Sequence, residues 1–130
     1  MPTSISLYLT SRSLGDEALV AFLGIAPARR WNRGDRKRAG RLEFASRYRA
    51  SGVRYALPAR QRRASFAAQQ RHWIRFLADH RRGLRRAVRA GVELDLDVFV
   101  ADVPHRLEFA AGLIAAAGAA GASITTTCYG

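Results

Sequence analysis

Six cations fall within ten residues: Arg29, Arg30, Arg33, Arg36, Lys37 and Arg38. At that density they repel one another unless an anion neutralises them. The guanidinium fork suits phosphate or carboxylate, which it grips through parallel hydrogen bonds. Trp31 lies among them, and an indole can stack on a base or under a cation. The pattern predicts an anion-binding loop over 26–40 with Trp31 as its aromatic contact. Arg60, Arg62, Arg63 and the arginines of the following helix would extend the same field. The competing interpretation is a solvated loop in an arginine-biased chain: 21 of the 22 cations are arginine and only Lys37 is lysine.

The remaining chemistry-bearing residues point elsewhere. His72 and His80 stand eight apart, whereas zinc-binding pairs on a helix stand three or four apart. His80 falls on an apolar stripe, so we expect a packed histidine and no metal. Glu93, Asp95 and Asp97 share one strand face and could hold a hard cation, but a solvated strand face explains them better. Cys128 with His105 would supply a thiol and a base. However, nothing brings them together, and Cys128 alternates with Ile124 as a buried residue would. Arg33-Gly34-Asp35 spells an adhesion tripeptide of a length that arises often by chance. The chain contains no G-x-S-x-G, Walker or G-x-G-x-x-G motif. We therefore expect no cofactor and no catalytic residue.

The charge is uneven. The formal net charge is +12, and between Arg29 and Arg89 there are 20 cations against three acids, Asp35, Glu43 and Asp79. The flanks carry two arginines against seven acids. Such asymmetry favours a polyanionic partner. A single cysteine cannot form an internal disulfide, which fits a reducing, cytoplasmic compartment. The start of the chain alternates instead of forming an apolar core, so it reads as a strand and not as a secretory signal. Phe109 to Ala122 is too short and too rich in alanine to span a bilayer, so we expect no membrane association.

The elements that must position these residues follow from periodicity. Ile5, Leu7 and Leu9 alternate with polar residues and predict a strand. Leu14, Ala18, Ala21 and Phe22 predict a short helix opened by Ser13 or Asp16 and closed by Gly24. Leu42 with Phe44, and Val53 with Tyr55 and Leu57, predict two strands in a ragged hairpin. Phe66, Trp73, Leu77, His80, Leu84 and Val88 form one stripe of a long helix ending at Gly91, with a bend at Gly83. Val92 to Val100 is the clearest strand. Asp102 and Pro104 would open a last helix buried through Leu107, Ala110, Ile114 and Ala117, and Ile124 to Cys128 a closing strand. The order predicts a single α+β domain over 1–130, ferredoxin-like or a close variant. Its sheet is mostly antiparallel with helices on one face. The polar face would show Ser4, Ser6, Tyr8, Glu93, Asp95, Asp97, Thr125 and Thr127.

The stretch from Gly15 to Pro27, with Leu23-Gly24-Ile25-Ala26-Pro27 at its end, resembles the opening of a bacterial family designated domain of unknown function 4279. Arg33-Gly34-Asp35, the strand from Gly91 to Val100 and the terminal strand from Ile124 to Tyr129 are similar to that family's later segments. Tyr55 departs from it, standing where the family has a tryptophan, and the basic middle is heavier. The resemblance implies an α-and-β fold and a bacterial cytoplasmic setting, and it carries over no catalytic residue.

The expectation from the residues is a non-enzymatic binding protein whose basic surface engages nucleic acid or an acidic protein, with an immunity-type role as one form of the latter. The alternative is an enzyme acting on a small anionic substrate clamped by arginines. Oligomeric state is left open by the sequence.

Overall fold

Strand β1, Thr3–Ser11, alternates as its residues dictate: Ile5, Leu7 and Leu9 are completely buried while Ser4, Tyr8 and Thr10 are partly exposed. In this computed structural model, which describes residues 3–39, 42–101 and 106–128, β1 is the centre of a five-stranded sheet. Helix α1 (Asp16–Leu23) follows. Then come strands β2 (Arg29–Trp31), β3 (Arg36–Ala39), β4 (Leu42–Arg47) and β5 (Ser51–Tyr55). A short 3-10 turn at Ala59–Gln61 leads to helices α2 (Phe66–Asp79) and α3 (Arg81–Arg89). Strand β6 (Glu93–Val100), helix α4 (Ala111–Ala120) and strand β7 (Ala122–Cys128) complete the order.

The sheet runs β2-β5-β1-β6-β7, and β3 pairs with β4 in a separate two-stranded ribbon. Strands β2, β5, β1 and β6 reproduce the split β-α-β order of the ferredoxin-like plan. All their pairings are antiparallel, and β7 is added parallel to β6 through α4. The fold is α+β. One sheet face carries Ile5, Leu7, Leu9, Val53, Leu94, Leu96 and Val98, packed with Leu19, Trp73, Leu77, Leu84 and Leu113 of the helices. Burying each such leucine contributes about 1.5–3 kcal/mol, so this layer dominates stability.

Local chemistry sets the element ends. Ser65 Oγ accepts the Ala68 N–H at 3.1 Å and caps α2. Gly24 and Gly121 close α1 and α4 in the left-handed region, with φ of 68° and 78°. Beyond the reach of β5, the edge of β1 is completed by side chains of α2. Gln69 Nε2 donates to Thr3 O at 2.6 Å, Gln69 Oε1 accepts from Ile5 N at 3.2 Å, and Trp73 Nε1 donates to Ile5 O at 3.1 Å.

Several expectations are corrected. The basic loop over 26–40 contains β2 and β3 instead of being irregular. Neither shows a period of two, because β2 is an edge strand of only three residues and the ribbon is exposed on both faces. Leu42 and Phe44 alternate as predicted, but their strand pairs with β3 and not with β5, leaving them 67% and 46% exposed. The long helix divides at His80, which caps the end of α2 and the start of α3. Gly83 is buried in α3 because a Cβ there would stand 2.2 Å from Phe22 O of α1. Val88, the last residue of the predicted stripe, is 40% exposed. The last helix begins at Ala111, after Leu107, and buries Leu113, Ala117 and Ala120 while Ile114 is exposed. Asp102, Pro104, His105 and Tyr129 lie outside the described residues. Cys128 is exposed, since β7 is the far edge strand.

Candidate basic cleft at the sheet edge

Strand β2 aligns Arg29, Arg30 and Trp31 against Arg54, Val53 and Gly52 of β5. Alternation sends Arg29 and Trp31 to the polar sheet face, where the Trp31 ring lies 6.3 Å from that of Tyr8. The chain then turns at Asn32–Asp35. Gly34 supplies a φ of 91°, Asp35 N donates to Asn32 O at 3.0 Å, and Asn32 N donates to Asp35 Oδ2 at 2.8 Å. The Arg33-Gly34-Asp35 tripeptide is therefore a structural turn whose carboxylate is engaged. Hydrogen bonds of 2.9 Å between Gly34 N and Tyr48 O, and between Tyr48 N and Asp35 O, tie the turn to the far end of the ribbon.

Tyr48 is the pivot of this region. Its ring stacks on Trp31 at 5.0 Å and 25°. The Arg29 guanidinium sits 5.5 Å from the Trp31 ring centre and 5.9 Å from that of Tyr48, and Lys37 Nζ lies 5.7 Å from the latter. Arg29 Nη2 also donates to the Tyr48 hydroxyl and, at 3.0 Å, to Arg38 O. Trp31 is fixed from the other side, with Nε1 donating to Ala50 O at 3.1 Å.

Arg29, Arg30, Trp31, Arg36 and Arg38 together line a cleft of about 500 Å³ between β2 and the ribbon, completed by Gly34, Asp35, Glu43, Arg47 and Tyr48. Five arginines thus face two carboxylates. Glu43 stands 3.6 Å from Arg36 and 3.7 Å from Arg38, and Arg47 Nη1 donates to Gly34 O at 2.7 Å. Arg30 Nε donates to Asp16 Oδ2 at 2.6 Å. That bond, more than any other influence, holds the Asp16 carboxyl below its ordinary range and raises Arg30. Asn32 joins the same cluster. Its Oδ1 accepts the Asp16 N–H at 3.0 Å, and its Nδ2 donates to Asp16 Oδ1 at 3.1 Å. The start of α1 is thus satisfied by Asn32, and no capping side chain comes from Ser13 or Asp16.

Arg33 is directed away from this cleft. It lines a neighbouring one of about 470 Å³ with Arg12, Arg47, Tyr48 and Arg49. Arg47, Tyr48, Arg49 and Arg12 escaped the reading from sequence. The basic-aromatic-basic run Arg47-Tyr48-Arg49 was the available signal. Trp31 is half-buried, stacked on Tyr48, packed close to Gly52 and overlain by the Arg29 guanidinium, so its ring is already in use within the chain.

The other candidates are distributed elsewhere. His72 borders a separate hollow with Arg71 and Arg75. Burial, aided by Arg75, pushes its pKa below the ordinary value. His80 packs 4.4 Å from the Phe76 ring. Asp95 Oδ1 accepts from Ser123 Oγ and Thr125 Oγ1 at 3.0 and 2.7 Å, and Asp97 Oδ1 from Thr127 Oγ1 at 2.9 Å, so β7 engages two of the three carboxylates, while Glu93 is exposed. Among the described residues, no cluster of three His, Cys, Asp or Glu side chains is arranged to hold a metal ion. Nor is any described helix long and apolar enough to cross a membrane.

No family model, curated protein or solved structure matches the chain.

Proposed function

We propose that this chain is a small non-enzymatic binding protein whose cleft and ribbon take up an anionic partner, with nucleic acid the partner class best suited to them. The observation that carries this reading is the excess of arginine over carboxylate in an open cleft at the sheet edge. Arginine forks there could meet phosphate oxygens in pairs. The exposed ribbon adds Lys37 and the apolar surface of Leu42 and Phe44. A two-stranded ribbon is a shape that the duplex major groove admits. Among the cleft-lining residues, Asp35 and Glu43 are committed to Asn32 and to two arginines, and histidine and cysteine are lacking. That composition supports binding over proton-transfer chemistry on a small anion.

Fluorescence anisotropy of nuclease-treated protein against labelled DNA and RNA, across a salt series, tests the proposal. Binding should survive physiological salt, with a log–log slope of about −0.9 for each phosphate contact on duplex DNA. Equal binding to every polyanion, or none at physiological salt, would sink the nucleic-acid reading and redirect attention to an acidic protein.

A further inference from the structure

The arginines nearest the cleft are largely engaged within the chain, whereas among those of α3 the one such bond in the described residues is a long one, from Arg86 Nη2 to Phe22 O at 3.5 Å, which leaves the charge unneutralised. Arg82, Arg85, Arg86 and Arg89 are spaced three, four and seven apart and are all exposed on the side of α3 opposite its buried Leu84 and Ala87. Among the described residues, none of them forms an ion pair with a carboxylate, and neither do Arg71 and Arg75 of α2. Asp79 is the sole acid in the two helices. From Arg82 to Arg89 the helix rises about 10 Å, a length along which duplex DNA presents roughly six phosphate charges. The stripe therefore offers a row of unneutralised cations of a length suited to a linear anion.

This stripe is not a continuation of the cleft. The helices cover the face of the sheet that carries Leu7, Leu9 and Leu96. Tyr8, Trp31 and Tyr48 belong to the other face. The sheet and the helical layer stand between the two basic fields, so one straight duplex segment cannot lie on both.

We infer that the outer face of α3 is a second, independent binding surface for duplex nucleic acid, so that one copy of the chain bridges two duplex segments. The inference rests on the nucleic-acid reading proposed above and adds valency to it.

A bead assay separates the two. A biotinylated DNA duplex is immobilised, the protein is added at about 50 mM salt, and retention of a second, fluorescent duplex is measured. The wild-type chain should retain it. The helix variant Arg82→Gln/Arg85→Gln/Arg89→Gln and the ribbon variant Arg36→Gln/Lys37→Gln/Arg38→Gln should each still coat the bead yet retain at least tenfold less of the second duplex. Arg→Lys at the same three helix positions should keep bridging, which distinguishes lost charge from lost folding. Undiminished bridging by the helix variant, as expected if two copies bridge through their clefts, would overturn the inference. So would a wild-type chain that coats the bead without retaining the second duplex. A wild-type chain that does not coat the bead at all would remove the nucleic-acid reading itself, and the second surface with it.

Discussion

Trp31 occupies the space that a side chain at Gly52 would need: a Cβ built on Gly52 would stand 2.2 Å from Cζ2 of the indole. The two residues are direct partners across β2 and β5. The indole cannot easily retreat, because Ala50 O holds its Nε1 and Tyr48 stacks on it. Gly52→Ala should therefore destabilise the fold by about 1–3 kcal/mol, the usual cost of overpacking. Pairing it with Trp31→Ala should recover part of that loss, since the clash is removed. Urea denaturation of both single variants and the double variant checks this, and simple additivity would contradict it.

How much of this was legible in the sequence depends on one-sided burial. Strands β1 and β6 and helix α2 were readable because one face of each meets the core, which stamps a period of two or 3.6 on the residues. Strands β2 and β3 were not, because an edge strand of three residues and a ribbon exposed on both faces impose no apolar period; their order comes from backbone bonds to β5 and β4 and from the Asn32–Asp35 turn. Phe44 and Leu42 carried the right period for the wrong partner, since alternation states that a strand exists and not which strand it joins. The break at His80 lacks glycine or proline to announce it. Of the candidate site, Arg29, Arg30, Arg36 and Arg38 were found as a charge run and do share the cleft. Tyr48 was missed because its role is set by a contact with Trp31 across 17 positions of chain.

Gly83 sets how closely α1 and α3 approach. A Cβ there would meet the Phe22 carbonyl oxygen at 2.2 Å, a backbone atom that moves only with its helix. Alanine improves helix propensity by about 1 kcal/mol, yet Gly83→Ala should lower stability, because the clash costs about 1–3 kcal/mol. Thermal unfolding gives the sign directly.

Gln69 is buried and makes one acceptor and two donor contacts, to Ile5 N, Thr3 O and Ala64 O. Gln69→Leu keeps the volume but strands the strand-edge groups. Each buried orphan costs about 1–3 kcal/mol, so the expected loss exceeds 2 kcal/mol. Amide exchange at Ile5 should accelerate in the same variant.

Two groups give the stability curve its acid side. Asp16 has its folded pKa lowered by Arg30, so its contribution is present above its ordinary value of 3.8 and is lost as pH falls through the lower folded value. His72 is lowered by burial, so it too favours the fold above its ordinary value of 6.5 and weakens it as pH falls towards its folded value. Stability should therefore decline in two steps on acidification. His72→Gln should remove the step near neutrality and Asp16→Asn the more acidic one, as followed by denaturation at a series of pH values.

Glu43 competes with any incoming anion. It lies within 4 Å of both Arg36 and Arg38, at 3.6 and 3.7 Å, in pairs whose side chains are about half exposed. Such exposed pairs contribute about 0.2–1 kcal/mol, so removing the carboxylate costs the fold little. Glu43→Gln frees two guanidinium groups for phosphate and raises the local charge by one. If the cleft binds nucleic acid, the variant should bind duplex about two- to fivefold more tightly at low salt, the equivalent of about 0.4–1 kcal/mol. Its salt dependence should steepen as freed arginines make new phosphate contacts. Anisotropy titrations on the two proteins decide the matter: unchanged affinity and slope would place the cleft outside the binding surface and move the search to the neighbouring cleft of Arg12, Arg33 and Arg49 and to the helical stripe.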